Sequence, residues 1–453
     1  MSDQPSLLKL CQSIAGSALV GEGIEAYAMR SRETDIDVFD GAIESLAVSG
    51  SSGIGIRVVS DHRQGFAWAG SLDADVVADT LREARDNARY SEPDEHYGLV
   101  DLATADEYRR PELSLWDDRL DAVDLETKID YVLALDGRVR SADPRIRNVE
   151  STSYGDGLVE SALASSMGIE ATNRRTISSA SSVAIAGDAS DTQTGYGFSV
   201  GRTFEELDAD AILSMAVERS TRLLGAQQPT GRRISVIFDP MVTASFLGVL
   251  SAAFNGESML KGRSLFLDRV GESVAASCFS LSDDPTDARS LGAAPYDGEG
   301  VACRANPLIV DGVLQTFLHN SYTARRAQTA TTGSAVRGGY RSTPGVGVRS
   351  LRLVSGEATP VELVAPFDEV LYVQAVHGLH SGTNAISGDF SVGAEGIMMR
   401  AGEYQEPVRE ITIASTLPKM LQAIVGIGND VTYLPGGTVG VSLLIEEMTM
   451  SGT

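Results

Sequence analysis

The sequence predicts an α+β fold in two domains, an N-terminal α+β domain at residues 1–229 and a C-terminal β-rich domain at residues 230–453. Three observations lead to this prediction. A chain of 453 residues exceeds what one ordinary hydrophobic core organises. Glycine is frequent, at 46 residues, which favours strands joined by turns. Apolar and polar residues also alternate in many short segments bounded by turn signals, as antiparallel strands require.

In the N-terminal domain, the alternation begins near residue 23 and continues to residue 70. Glycines within residues 50–53 and the turn signals of residues 61–65 are expected to separate successive antiparallel strands. Residues 71–90 should then form an amphipathic helix. Its buried face is the stripe Val77, Leu81, Ala84 and Ala88.

The same order of elements then recurs further along the chain. Residues 147–200 have strand patterns again and lead to a second helix, which Gly225 is expected to end. The tetrapeptide Leu-Asp-Ala-Asp occurs at residues 72–75 and again at residues 207–210, before the helix in each case. We interpret this as a duplicated unit of β-meander plus helix, separated by a helical insert near residues 122–142.

The C-terminal domain should be mainly antiparallel β with a few helices. A polar joint at residues 226–233 marks the boundary. Residues 241–254 form a helix pattern without any charged residue, so most of its faces should be buried. Asp311 and Gly312 predict a hairpin turn, and Thr416 should cap a short helix.

Composition excludes several classes of function. The formal net charge of −25 argues against direct binding of nucleic acid and against an anionic membrane surface. The three cysteines, Cys11, Cys278 and Cys303, lack the spacing of disulfide frameworks or structural zinc sites. The first twenty residues have the pattern of a short amphipathic helix and not of a signal peptide. We therefore expect a cytoplasmic protein.

The glycine-rich stretch at residues 377–396 is the one place where histidines lie close in sequence. His377 and His380 could meet on a helical turn, and Asp389 or Glu395 could complete a metal site. However, three glycines disfavour a helix here, and in a strand the two imidazoles would point to opposite faces. We expect a tight turn, and keep His377, His380 and Asp389 only as an alternative catalytic set.

A second candidate site is the Thr-, Ser-, Gly- and Arg-rich segment at residues 329–345. It could be an ordered loop that holds a peptide or an anion through backbone N–H groups, Arg337 and Arg341. By composition alone, a mobile surface loop is the favoured interpretation. We take Arg337 and Arg341, together with Asn384, as candidate substrate-binding residues.

The order of several segments resembles the TldD/PmbA family. These segments are "SGIGIRVVSDHRQGFAWAG", "VIFDP", "KGRSLF", "LGAAPYDGEG", "PLIVDGVLQTFLHNSYTARR", "TTGSAVRG" and "GLHSGTNAISGDFSVGAEGIMMRAGE". The resemblance implies two domains of mixed α and antiparallel β structure, in dimers that enclose a large internal cavity. It also implies a link to zinc-dependent peptidases that trim unfolded peptides, including modified antibiotic precursors and antitoxins.

The family has two branches that differ in their metal chemistry. TldD-type subunits carry HExxxH on a buried helix and a later cysteine, which together hold zinc. Here the corresponding positions read "LGVLSA" at residues 247–252 and "LPGGTVGVSLLI" at residues 434–445, with no zinc ligand in either. The chain therefore resembles the PmbA (TldE) branch, and zinc is expected only in a partner subunit.

The leading functional hypothesis is a non-metal subunit without catalytic residues of its own. It would join a TldD-type zinc-bearing subunit and position an extended peptide by strand addition. Two alternatives stay open. One is a homodimeric peptide-binding or regulatory protein without catalysis, and the other is a self-sufficient hydrolase that uses His377 and His380.

Overall fold

The computed structural model describes residues 6–105 and 109–452. The first five residues of the expected N-terminal helix lie outside the described residues. The helices are α1 Leu7–Ala15, α2 Ala74–Tyr90, α3 Leu102–Ala105, α4 Asp118–Ala122, α5 Leu125–Ser141, α6 Ala209–Thr221, α7 Pro240–Leu250, α8 Gly256–Leu260, α9 Ser321–Ala327, α10 Pro360–Val364, α11 Leu379–Gly382 and α12 Leu417–Gln422, with 3₁₀ turns at Phe204–Glu206 and Ser251–Phe254.

The strands fall into an N-terminal and a C-terminal group. The first group is β1 Glu22–Phe39, β2 Ala42–Ser60, β3 Arg63–Ala69, β4 Ile146–Ser165, β5 Glu170–Gly187 and β6 Thr192–Gly201. The second group is β7 Arg232–Phe238, β8 Leu281–Asp283, β9 Asn306–Val310, β10 Val313–Leu314, β11 Ala335–Val336, β12 Gly345–Val346, β13 Leu351–Leu353, β14 Val370–His377, β15 Asp389–Arg400, β16 Glu403–Thr416, β17 Ile424–Ile427, β18 Thr432–Tyr433, β19 Val439–Gly440 and β20 Leu443–Ser451.

The six N-terminal strands form one antiparallel sheet in the order β3-β2-β1-β4-β5-β6. Each half of this order is a three-stranded meander followed by a helix. Helix α2 packs on β2 and β3, and α6 packs on β5 and β6. The predicted duplication is confirmed, and the predicted helical insert between its halves is α5. Apolar side chains of β1, β2 and β4 form a core with α1 and α2 on one face of the sheet.

The predicted strand break at residues 50–53 is wrong, because β2 continues without interruption from Ala42 to Ser60. The glycines there serve a close approach of another segment to the sheet. A Cβ atom on Gly53 would lie 2.4 Å from the Tyr340 ring, and one on Gly55 would lie 2.2 Å from the Tyr340 carbonyl oxygen. Tyr340 can therefore lie against the strand only because these positions have no side chain.

The end of the second helix also differs from the prediction. Helix α6 ends at Thr221, with Arg222 as its C-cap in right-handed helical geometry. Gly225 lies beyond the helix, in a turn where its φ of 79° favours glycine. The periodic apolar pattern therefore continued past the point where the hydrogen-bonded helix stops.

The C-terminal strands form two larger sheets and a two-stranded ribbon. One sheet has the order β16-β15-β14-β7-β20-β17, and an additional pairing of β16 with β20 closes it on itself. The β7–β14 pair is parallel, and the other pairs of this sheet are antiparallel. The predicted hairpin at Asp311 and Gly312 is confirmed, as β9 and β10. The predicted α+β fold class is therefore confirmed.

Within the described residues, no helix combines the length and the apolar character that crossing a membrane requires.

Candidate functional site

A cavity of about 330 Å³ lies between the N-terminal sheet and loops of the C-terminal part of the chain. Tyr27 of β1 and Arg175 of β5 line it from the sheet. Asp297, Arg337 and Arg349 line it from the loops. Since side chains alternate along a strand, Tyr27 points away from the face that packs on the helices. The sheet therefore has helices on one face and this cavity on the other.

A buried ion-pair network holds the two sides of this region together. Glu25 of β1 lies directly opposite Arg57 of β2, and their nearest oxygen and nitrogen are 2.8 Å apart. Glu25 also pairs with Arg337 from the loop side. Arg57 reaches Glu299 at 3.5 Å, and Glu299 accepts hydrogen bonds from the Ser321 backbone N–H at 2.8 Å and hydroxyl at 2.6 Å. The network thus joins residues that are up to 312 positions apart in the sequence.

The opposite charges of this network stabilise one another's ionised forms. Burial opposes ionisation of Glu25, but the positive charges of Arg337 and Arg57 outweigh it and hold the pKa of this carboxyl below its usual value. Burial likewise opposes the charge of Arg57, and the two carboxylates raise its pKa above the usual value. All four side chains are at most 4% exposed, so water does not screen these attractions.

Asp297 is the carboxyl group in the wall of the cavity. Its oxygens accept hydrogen bonds from the backbone N–H groups of Glu299 at 2.8 Å, Val301 at 3.0 Å and Ala335 at 3.0 Å. Burial and the neighbouring Glu299 carboxylate nevertheless raise the pKa of Asp297 to about 7. This carboxyl group can therefore exchange a proton near neutral pH.

The interpretation of residues 329–345 as a mobile surface loop is wrong. Thr331, Ser334 and Ala335 are buried, and Arg337 is held in place by two backbone carbonyl groups. Its Nε donates to the Gly298 carbonyl oxygen at 2.6 Å. The loop is ordered because its Thr, Ser and Arg side chains find hydrogen-bond partners in the interior, which composition cannot indicate.

The three candidate substrate-binding residues lie in different surroundings. Arg337 lines the cavity. Arg341 lies on the outside, with its guanidinium 5.0 Å from the centre of the Trp68 ring. The Asn384 side-chain oxygen accepts hydrogen bonds from two backbone N–H groups of its own turn, the nearer one from Ile386 at 2.9 Å. Their role in binding a substrate stays a prediction.

The histidine-containing turn is partly different from its prediction. His377 is the last residue of β14, and its Nε2 contacts Glu395 on β15, which raises the pKa of His377. His380 lies in the four-residue helix Leu379–Gly382, so the expectation that glycines would prevent a helix is wrong for this turn. Asp389 begins β15 and accepts a hydrogen bond from a neighbouring serine hydroxyl. In the described part of the chain, no three His, Cys, Asp or Glu side chains converge as metal ligands.

Helix α7 ends at Leu250 and so includes the first four of residues 247–252. Its side chains Phe246, Leu247 and Leu250 are at most 1% exposed. The Phe246 ring lies 6.1 Å from Phe238 and 6.3 Å from Phe390 in edge-on contacts. This helix is buried as predicted, and it contributes aliphatic and aromatic side chains to the C-terminal core.

Three consecutive segments match sequence profiles of one family. Residues 24–88 match PmbA/TldA metallopeptidase domain 1, residues 118–224 match its central domain, and residues 230–452 match its C-terminal domain. The chain belongs to the PmbA/TldD family. The predicted resemblance is therefore confirmed.

Curated relatives extend over nearly the whole PmbA/TldD chain. Metalloprotease PmbA of Escherichia coli is 28% identical over 99% of this chain and 97% of its own length. The PmbA homolog of Haemophilus influenzae is 27% identical over 90% of this chain and 88% of its own length. A metalloprotease TldD homolog of Haemophilus influenzae is 23% identical over 95% of this chain and 92% of its own length.

Solved structures show the same PmbA/TldD fold. TldE from Thermococcus kodakarensis superposes with a TM-score of 0.89 at 21% identity and covers 98% of this chain and 99% of its own. A Thermotoga maritima protein described as a candidate modulator of DNA gyrase superposes with a TM-score of 0.90 at 24% identity, covering 98% and 100%. At these identities the similarity establishes the fold alone.

Sequence reasoning indicated Arg337 but missed the other charged residues of the cavity wall and of the buried network. The sequence contains only a weak signal for these residues. Glu25 and Arg57 are charged residues inside otherwise apolar strand segments, and such positions indicate a buried pair. Asp297 and Glu299 lie within "YDGEG", a segment that contributed to the family resemblance but to which no role was assigned.

Proposed function

We propose that this chain is the non-metal subunit of a TldD/TldE-type peptidase, in which it binds an extended peptide for a zinc-bearing partner. Its relatives are named metalloproteases, and one relative is a TldD homolog. The proposal assigns the zinc and the general base to the partner subunit. It assigns to this chain the binding and positioning of unfolded peptides, among them antibiotic precursors and antitoxins.

The observation that carries this proposal is the chemistry of helix α7. The family resemblance places "LGVLSA" at the position that holds HExxxH in the metal-binding branch, and its Leu247 and Leu250 are buried in the C-terminal hydrophobic core. Aliphatic side chains cannot coordinate zinc, which takes Cys, His, Asp or Glu ligands. The residues present therefore do not fit a catalytic zinc, and no step of the chemistry is assigned to this helix.

A free strand edge supports the peptide-binding part of the proposal. Strand β3 pairs with β2 only from Ile54 onward, so residues 42–53 of β2 have β1 on one side and no described strand on the other. Ile43, Leu46 and Val48 on this edge are 36–56% exposed. An unpaired edge with exposed apolar side chains is what strand addition by an extended peptide or partner segment uses.

The primary test is reconstitution with a TldD-type zinc-bearing subunit. The two chains should form a complex in size-exclusion chromatography, and the mixture should cleave an unfolded peptide that this chain alone leaves intact. Absence of both a complex and a gain in cleavage would contradict the proposal. If this chain alone bound stoichiometric zinc after purification without chelator, its role as the non-metal subunit would be excluded.

The strand edge is tested by changing its outward side chains. Leu46→Lys with Val48→Lys should weaken binding of an unfolded peptide about tenfold, because two charges replace the apolar contact surface. Val354→Lys is the control for an added surface charge, since Val354 is 64% exposed and follows β13, which belongs to a different sheet from β2. Equal effects of the two changes would exclude the β2 edge as the binding surface.

A further inference from the structure

The cavity between the sheet and the C-terminal loops carries an excess of positive charge. Its lining includes three guanidinium groups, from Arg175, Arg337 and Arg349, and one carboxyl group, from Asp297. This is unusual for a chain that has 62 acidic residues and only 37 lysines and arginines. A cavity lined mainly by cations favours an anionic occupant.

The three guanidinium groups are satisfied to different degrees. Arg337 is paired with Glu25 and donates to two backbone carbonyl groups, so it is committed to the structure. The Arg349 guanidinium donates a hydrogen bond to the Ala335 carbonyl oxygen at 3.0 Å, and its buried Nε has no partner in the part of the chain that the structure describes. Arg349 therefore retains donor capacity for a ligand.

Arg175 is the least satisfied of the three. It is half-buried, and within residues 6–105 and 109–452 its guanidinium takes part in no hydrogen bond or ion pair. Burial and repulsion from Arg349 both lower the pKa of Arg175. A partly desolvated cation without a counter-charge is costly, and an anion bound between Arg175 and Arg349 would remove that cost.

We propose, building on the peptide-binding function above, that this cavity binds the C-terminal carboxylate of a peptide between Arg175 and Arg349. Guanidinium groups bind a planar carboxylate through paired N–H donors. Tyr27, Met29 and Leu163 add an apolar wall that suits the last side chain of a peptide. The volume of about 330 Å³ corresponds to a small-ligand pocket and suits the terminal one or two residues.

The wall also favours a carboxylate over a phosphate. Asp297 lies in the same lining, and its negative form would repel a dianion more strongly than a monoanion. Since burial and Glu299 raise the pKa of Asp297 to about 7, a monoanion is tolerated at neutral pH and favoured just below it. Phosphate therefore serves as a competing anion in the test.

The experiment compares the tripeptide Ala-Ala-Phe with a free C-terminus and the same tripeptide with a C-terminal amide, by calorimetry on the full chain at pH 6.5. The free acid should bind at least about tenfold more tightly than the amide, because only the acid forms the charge-assisted hydrogen bonds. Arg175→Gln should remove most of this difference. Inorganic phosphate should compete only weakly.

Arg174→Gln is the matched control, because Arg174 is the next residue on the same strand, points to the opposite face and lies 3.6 Å from Asp118. It should leave the preference for the acid unchanged. The folded state of Arg175→Gln is checked by thermal unfolding. Its Tm should equal or exceed that of the unchanged chain, since no described partner of Arg175 is lost.

Several outcomes would overturn the carboxylate site. These are equal affinity for acid and amide, no binding of either, equal effects of the Arg174 and Arg175 changes, or tight phosphate binding without peptide binding. The proposed function has its own readout in the reconstituted complex. Cleavage there that does not depend on a free C-terminus would refute the carboxylate site and leave the subunit role intact.

Discussion

A buried network of ion pairs and an exposed ion pair in this molecule have similar chemistry but differ in their access to water. The Arg337–Glu25–Arg57–Glu299 network lies between the N-terminal sheet and the C-terminal loops, with side chains at most 4% exposed. The His377–Glu395 pair lies at the end of β14, and the His377 side chain is 62% exposed. The network joins residues that are far apart in the sequence, whereas the pair joins two adjacent strands.

The difference shows that closeness of polar residues in the sequence does not predict which polar residues of this chain form a buried site. The sequence indicates a candidate site at the histidine turn because His377, His380 and Asp389 are close together along the chain. That turn forms a solvated pair of modest energetic importance. The residues around the cavity are scattered in sequence, and their importance follows from shared burial.

The largest expected effect comes from removing one member of the buried network. Glu25→Gln leaves Arg57 and Arg337 with less negative charge in a site that excludes water, and should lower the free energy of unfolding by about 3–5 kcal/mol. Denaturant unfolding measures this change. Glu160→Gln is the control, because Glu160 is 42% exposed and lies 3.7 Å from Arg30. If both changes had the same small effect, burial would not distinguish the two kinds of pair.

The next effect concerns pH and Asp297. Its pKa is raised to about 7 in the folded chain, so between about pH 4, the unfolded value, and pH 7 the folded state binds more protons. Stability contributed by this group is therefore lost as pH rises through that window. Relative to Asp297→Asn, the unchanged chain should lose roughly 2–4 kcal/mol between pH 4 and pH 7.

Unfolding free energies of both proteins across this pH range test the prediction. Asn at position 297 cannot accept every hydrogen bond that Asp297 accepts, so a constant offset is expected and only the slope matters. Asp118→Asn, at a side chain 87% exposed, controls for general charge effects. Parallel pH curves for the unchanged chain and Asp297→Asn would contradict the raised pKa.

A smaller change in the free energy of unfolding is expected at Arg341, on the outer side of the loop at residues 329–345. Arg341→Ala removes a guanidinium that lies 5.0 Å from the Trp68 ring and 5.3 Å from the Tyr340 ring. Since Arg341 is exposed, the loss should be about 0.5–1 kcal/mol in the free energy of unfolding. Arg341→Lys should recover part of it. A loss as large as that of Glu25→Gln would place Arg341 with the buried network.

The smallest effect is expected at the exposed pair. Glu395 raises the pKa of His377, so the stabilisation is present below the unfolded pKa of about 6.5 and disappears as pH rises through the folded value. His377→Gln should cost less than about 1 kcal/mol at pH 6 and nothing measurable at pH 9, because the pair is solvated. His380→Gln, in the same turn, is the control. A cost that increases with pH would contradict this assignment.

Much of the fold could be predicted because its signals are local. Helix α2, the insert α5, the repeated meander and the Asp311–Gly312 hairpin follow from side-chain periodicity and turn residues within short windows. The glycines of β2 misled the prediction, because a glycine that breaks a strand and one that admits a neighbouring Tyr340 have the same letter. The prediction of a mobile surface loop at residues 329–345 is wrong because composition does not indicate whether polar side chains find hydrogen-bond partners in the interior.

The sequence by itself determined the α+β class, the duplicated N-terminal unit, the family and the absence of zinc ligands from residues 247–252. The fold class, the duplication and the missing ligands depend on residue types at short spacings, and the family depends on a resemblance in the order of segments along the chain. Only the tertiary structure decided that Glu25 meets Arg337 and that Asp297 is a buried acid. It also decided that Arg175 has no hydrogen-bond or ion-pair partner among residues 6–105 and 109–452. Burial and long-range charge pairing are properties of the folded surface, because they depend on which distant segments exclude water from a group.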